Sequence, residues 1–137
     1  MANIALATAN RIEVVESIEQ MTLPAAETIV PGSPVRLDTT TGKFTNANAT
    51  LAAEARLYGI ATGTHSIVAG MPVTAVRRGV LDGYTFPQAY DAAIYLSDTD
   101  GTLADAAGTV STVVGRVVPG ASELLGGSFA KLLHVGL

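Results

Sequence analysis

Asp98 and Asp100 stand two positions apart just ahead of Gly101, with Asp105 close behind. Alternating carboxylates before a glycine open a calcium loop. A complete loop needs further oxygen ligands at fixed spacing and a closing bidentate glutamate, and none stands where it is required. The same side chains suit a tight turn, because Asp, Ser and Thr can bond their own backbone there. His65 precedes Ser66, but neighbours on an extended chain point to opposite faces, so the pair cannot converge as a catalytic dyad. His134, between Leu133 and Val135, sits as a packed or surface histidine does in a strand. Arg77 and Arg78 also alternate faces, so at most one can point inward. They read either as a solvated strand end or as an intersubunit ion pair with a carboxylate such as Asp82. No HExxH, no GxSxG and no phosphate-cradling glycine loop occurs, and cysteine is absent, which excludes disulfides, thiolate catalysis and thiolate-ligated metal. The residues lead us to expect no enzyme, no metal and no cofactor.

Charge narrows the partners. The eight Lys and Arg are scattered against twelve Asp and Glu, for a net charge of -4, so a cation-lined nucleic-acid face is not expected. No apolar run approaches the length of a membrane span and the start lacks the basic stretch of a secretory signal, so the chain is expected to be made in a cytoplasm. Hydrophobic residues make up 48% of the 137, yet aromatics are only 5% and Trp is absent. A core filled by Ala, Val and Leu is thin, and the remaining apolar surface points to contacts with other chains, first of all to a homo-oligomer.

The elements that must hold these residues announce themselves by repetition. Val35-Arg36-Leu37-Asp38-Thr39-Thr40-Thr41-Gly42-Lys43-Phe44 returns as Ile94-Tyr95-Leu96-Ser97-Asp98-Thr99-Asp100-Gly101-Thr102-Leu103. Each copy reads as strand, tight turn, strand, and each leads to an apolar stretch around Gly59 or Gly115. Val30-Pro31-Gly32-Ser33-Pro34-Val35 and Val68-Ala69-Gly70-Met71-Pro72-Val73 likewise match, as turns ahead of strands. Strands are predicted at 34–38, 43–46, 58–62, 73–76, 79–84, 93–97, 113–118 and 131–135. One helical turn at most is expected, at 51–56, and a glycine-bearing contact loop at 119–128. The fold class is all-β: a small antiparallel β-barrel or sandwich with an extended N-terminal arm.

That arm, residues 1–24, lacks glycine and precedes a single β domain at 25–137. β-branched content favours a strand, in which Ile12, Val14 and Glu16 share a face. Either it is an ordinary first strand, or it lies on a neighbouring subunit by strand addition. If it serves attachment more than folding, it can be deleted without unfolding the domain. Candidate contact residues are Ile12, Val14, Val15, Ile18, Arg77 and Arg78.

The pattern resembles the capsid decoration, or cement, proteins of tailed bacteriophages. The resemblance runs over most of the chain, through Pro31-Gly32-Ser33-Pro34-Val35, Thr41-Gly42-Lys43-Phe44, Tyr58-Gly59-Ile60-Ala61, Ala69-Gly70-Met71-Pro72-Val73 and Arg78-Gly79-Val80, then Tyr95-Leu96-Ser97 with Gly101, Gly115-Arg116-Val117-Val118 and Leu132-Leu133-His134-Val135. It implies a non-enzymatic β domain, often trimeric, that sits on the outer surface of the virion capsid and braces the major capsid protein. It carries no catalytic residues over. A different class, a small-ligand or carbohydrate-binding β-barrel, would need aromatic stacking, and Tyr84, Phe86 and Tyr90 are the cluster available for it.

Overall fold

The computed structural model describes residues 2–120 and 131–136. Its elements are β1 (Ala5–Leu6), β2 (Glu13–Pro24), β3 (Pro34–Leu37), β4 (Phe44–Asn46), β5 (Leu57–Ala61), β6 (Pro72–Asp82), β7 (Tyr84–Thr85), β8 (Ala93–Leu96), β9 (Leu103–Ala104), β10 (Val113–Pro119) and β11 (Lys131–Gly136). No helix forms among the described residues. At 51–55 the chain makes a single hydrogen-bonded turn, the Ala55 N–H donating to the Leu51 carbonyl at 3.0 Å. The proposed contact loop falls mostly on residues outside those described.

Both repeated turns close in the same way. The Asp38 N–H donates to the Lys43 carbonyl at 2.8 Å, and the Ser97 N–H to the Thr102 carbonyl at 3.0 Å. Asp38 accepts the Thr40 N–H and Ser97 Oγ accepts the Thr99 N–H, so a side-chain oxygen caps each turn at its first residue. Backbone donors from Thr40 and Thr41 hold the Asp38 carboxyl below its usual range. Gly42 and Gly101 carry φ values of 72° and 65°, which a β-branched side chain resists.

Repetition extends to topology. The strand order β4-β3-β5-β6 on one side is matched by β9-β8-β10-β11 on the other, and the two sets join where β6 pairs with β11. Every pairing between named strands is antiparallel, and the sheet curls into a half-barrel. The strands expected at 73–76 and 79–84 merge into one strand, β6, that runs through Arg77-Arg78-Gly79 as far as Asp82, while Tyr84 falls in β7.

The curl creates two cores. Ile60, Val76, Leu81, Ile94, Leu96, Leu103 and Leu133 pack in the larger; Val35, Phe44, Ala61, Val73 and Ala75 pack in the smaller. Because side chains alternate along β5 and β6, Ile60 and Val76 serve one core while Ala61 and Ala75 serve the other. All four are fully buried. Each large apolar side chain so buried contributes about 1.5–3 kcal/mol.

The N-terminal segment is extended, but it is tied to both halves. The Ile4 N–H donates to the Leu103 carbonyl at 2.9 Å and the Ala26 N–H to the Phe44 carbonyl at 2.7 Å. Phe44 and Leu103 hold equivalent places in the two repeats. β1 pairs with β7, and Ile4 and Ile12 enter the larger core. Ile12 is therefore no contact residue: at 2% exposure it is part of the interior.

Tyr84 pins this corner. Its buried hydroxyl donates to the Gly32 carbonyl at 2.6 Å, and its ring lies against Phe86 with centroids 5.5 Å apart. Burial raises the pKa of the phenol and keeps it protonated. Tyr84→Phe leaves that carbonyl without its donor and is expected to cost about 1–3 kcal/mol in urea unfolding. An unchanged midpoint would show that water replaces the bond at no cost.

Candidate functional site

A strand has two edges, and those of β6 are used unequally. β5 pairs with it at residues 75–76 and β11 at 78–81, while β2 pairs along its whole length, from Glu13 opposite Asp82 to Pro24 opposite Pro72. β5 and β11 therefore share one edge and β2 holds the other. Beyond β2 no further strand pairs among the described residues, so a twelve-residue strand closes the sheet. Every residue of it is exposed except Leu23, which is half-buried.

Its register slips three times. Val14 pairs with Leu81 and Glu16 with Val80; Ser17 pairs with Gly79 and Glu19 with Arg78; Gln20 then pairs with Val76. The extra residues at these β-bulges are Val15, Ile18 and, on β6, Arg77. A bulge leaves its extra residue out of the ladder and re-aims the side chain. Val15 and Ile18 are accordingly the most exposed hydrophobics of the strand, at 51% and 66%. The bulge after Val14 also overturns the expectation that Ile12, Val14 and Glu16 share one face. Ile12 is buried, Val14 lies opposite core residue Leu81, and Glu16 is in solvent.

Val14, Met21 and Leu23 lie opposite Leu81, Ala75 and Val73, so apolar surface continues from the interior onto the rim. Glutamates punctuate it. Arg11 pairs with Glu13 at 2.5 Å, and Arg77 pairs with Glu19 at 3.1 Å while resting over the Tyr58 ring at 5.5 Å. The carboxylate that meets Arg77 is thus Glu19 of its own chain, in place of the expected Asp82. Arg78 lies opposite Glu19 in the ladder and, with Ile18, His134 and Val135, lines a shallow hollow beside the strand. Val14, Val15, Ile18, Arg77 and Arg78 come together on this ribbon. Sequence reasoning missed Glu16, Glu19 and Met21 as members, although the absence of any Lys or Arg from β2 was a signal for the acidic pair.

The other candidates disperse. Asp98 accepts the N–H and hydroxyl of Thr109, Asp100 accepts the Asn48 amide, and Asp105 accepts the Ala2 N–H. Three aspartates thus hold three different segments. His65 is exposed in its loop and His134 exposed on β11. Tyr84 and Phe86 are buried, each 7% exposed, and only Tyr90, beside Lys131 at 5.4 Å, reaches solvent. Tyr84 and Phe86 thus pin a loop to the core, and of the three rings only that of Tyr90 presents a face to solvent.

Comparison of the chain with family models, curated proteins and solved structures finds no match in any of the three. The observed class is an all-β, half-barrel domain with a bulged acidic ribbon at one edge.

Proposed function

We propose that this chain is a non-enzymatic capsid decoration protein that binds the outside of an assembled phage head and braces neighbouring major capsid subunits. The single observation that carries the reading is β2, a strand exposed on nearly all its length, bearing Val14, Val15, Ile18 and Met21 on a doubly cored scaffold. Apolar side chains held in water on a strand built into the sheet suit attachment to another protein. The resemblance to cement proteins supplies the kind of partner.

Cementing needs no chemistry. A protein that binds the assembled shell and not its separated subunits stabilises assembly by RT ln(1 + [L]/Kd) per site, about 2.7 kcal/mol at a hundredfold excess over Kd. A homotrimer adds avidity, because linked contacts reinforce one another without any being strong. Co-sedimentation with purified undecorated heads tests the reading: the protein is expected to pellet with heads, to saturate, and to raise the temperature at which they burst. Sedimentation velocity of the free protein is expected to give a trimer. Failure to bind heads would remove the proposed function; a monomer that still binds would remove only the trimer.

A further inference from the structure

We infer that β2 engages its partner through side chains and not by strand addition, and that the surface receiving it is an apolar trough rimmed by lysine or arginine. The inference rests on the attachment role proposed above and goes on to the mode of contact and the chemistry of the partner.

The bulges argue against strand addition. An incoming strand needs N–H and C=O groups at regular spacing along the free edge, and two extra residues between Glu13 and Glu19 break that spacing twice. Bulges and charges are the means by which edge strands resist pairing with foreign strands. The same bulges push out Val15 and Ile18, whose branched side chains have few rotamers to lose on burial. They are knobs already ordered for a socket.

Charge defines the rim of that socket. β2 carries three glutamates and no cation. Glu13 is engaged by Arg11 and Glu19 by Arg77, whereas Glu16, between the two knobs, forms no ion pair among the described residues. A second copy of β2 is the wrong partner. Antiparallel pairing centred on Glu16 would set Glu16 against Glu16 and Glu13 against Glu19, and like charges directly opposite destabilise a sheet. A partner cation over Glu16, with apolar surface on either side, fits both properties of the strip.

The test uses the full chain and purified undecorated heads. Val15→Thr and Ile18→Thr keep β-branching but replace hydrocarbon with a hydroxyl, and are expected to weaken binding roughly tenfold and a hundredfold. Glu16→Gln is expected to flatten the salt dependence of binding. Hydrogen exchange at β2 amides should be the same on the heads as off them, with circular dichroism melts unchanged throughout. Slowed exchange along β2 with Val15→Thr and Ile18→Thr binding normally would mean strand addition and overturn the inference. So would dissociation of the oligomer by these variants with head binding intact, which would make the strip a self-contact. Heads that bind all variants alike remove the inference alone; heads that bind no form of the protein remove the proposed function with it.

Discussion

Gly115→Ala is expected to yield no folded protein. A Cβ at that position would sit 2.0 Å from the His134 carbonyl oxygen and 2.9 Å from its carbon. Both belong to backbone held in the β10–β11 ladder, so neither can step aside as a flexible side chain would. Gly59, its counterpart in the first repeat, meets the Val76 carbonyl oxygen at 2.3 Å and is expected to behave alike. Ordinary overpacking costs about 1–3 kcal/mol; prying apart two central strands costs more, and a domain of this kind holds only about 5–15 kcal/mol in all. Gly42→Ala is the control. Open space surrounds that position, so only its positive φ is strained, at a cost of about 1 kcal/mol. Soluble expression and circular dichroism decide the matter. A Gly115→Ala protein melting within a few degrees of wild type would mean that β10 and β11 can separate locally, against the rigid ladder drawn above.

Deleting residues 2–12 is expected to be nearly as damaging. The deletion removes Ile4 and Ile12 from the larger core, the β1–β7 pair and the bond from Ile4 to Leu103. Truncating a buried isoleucine typically costs 2–5 kcal/mol, so losing two, with the hydrogen bonds, consumes most of the stability of a domain. In contrast, Val15→Ser with Ile18→Ser touches only exposed side chains and should shift stability by about 0.5 kcal/mol or less. The N-terminal segment, read from sequence either as a first strand or as a removable attachment arm, is thus two things. Its first half is anchored in the larger core by Ile4 and Ile12, and its second half lies on the surface. Parallel thermal melts separate them, and a truncated protein that melts like wild type would return the whole segment to the status of an appendage.

What could be read ahead of the structure was local. Asp38 and Ser97 at turn starts, Gly42 and Gly101 at turn ends, and the alternation in 34–38 and 93–97 are properties of a few adjacent residues, and the hairpins follow from them. The duplication was visible for the same reason. What escaped depends on distant partners. Gly79 reads as a break, yet it sits inside β6 because the Glu16 carbonyl occupies the space a Cβ would need, 2.2 Å away. Face assignment in the first strand assumed a regular period of two, which the bulges at Val15 and Ile18 shift out of phase. Arg77 found Glu19 and Tyr58 through a fold that brings β2 and β5 to opposite edges of β6. Two-residue strands such as β1 and β7 carry too little pattern to be seen.

The way the first residues close both halves has a consequence for synthesis. Ile4 is made well before Leu103, whose carbonyl it bonds, and the strand that β2 borders ends only at Asp82. The nascent chain must therefore carry Ile4 and β2 unpartnered until residues as far on as Asp82 and Leu103 have been made. Folds that wait on such distant pairings form slowly, in milliseconds to seconds. Meanwhile Val14, Val15, Ile18 and Met21 are exposed on an unpaired β-prone stretch, the kind of sequence that seeds aggregates. Glu13, Glu16 and Glu19 interrupt it every third residue and act as gatekeepers. The charges that shape the finished surface thus also protect the unfinished chain.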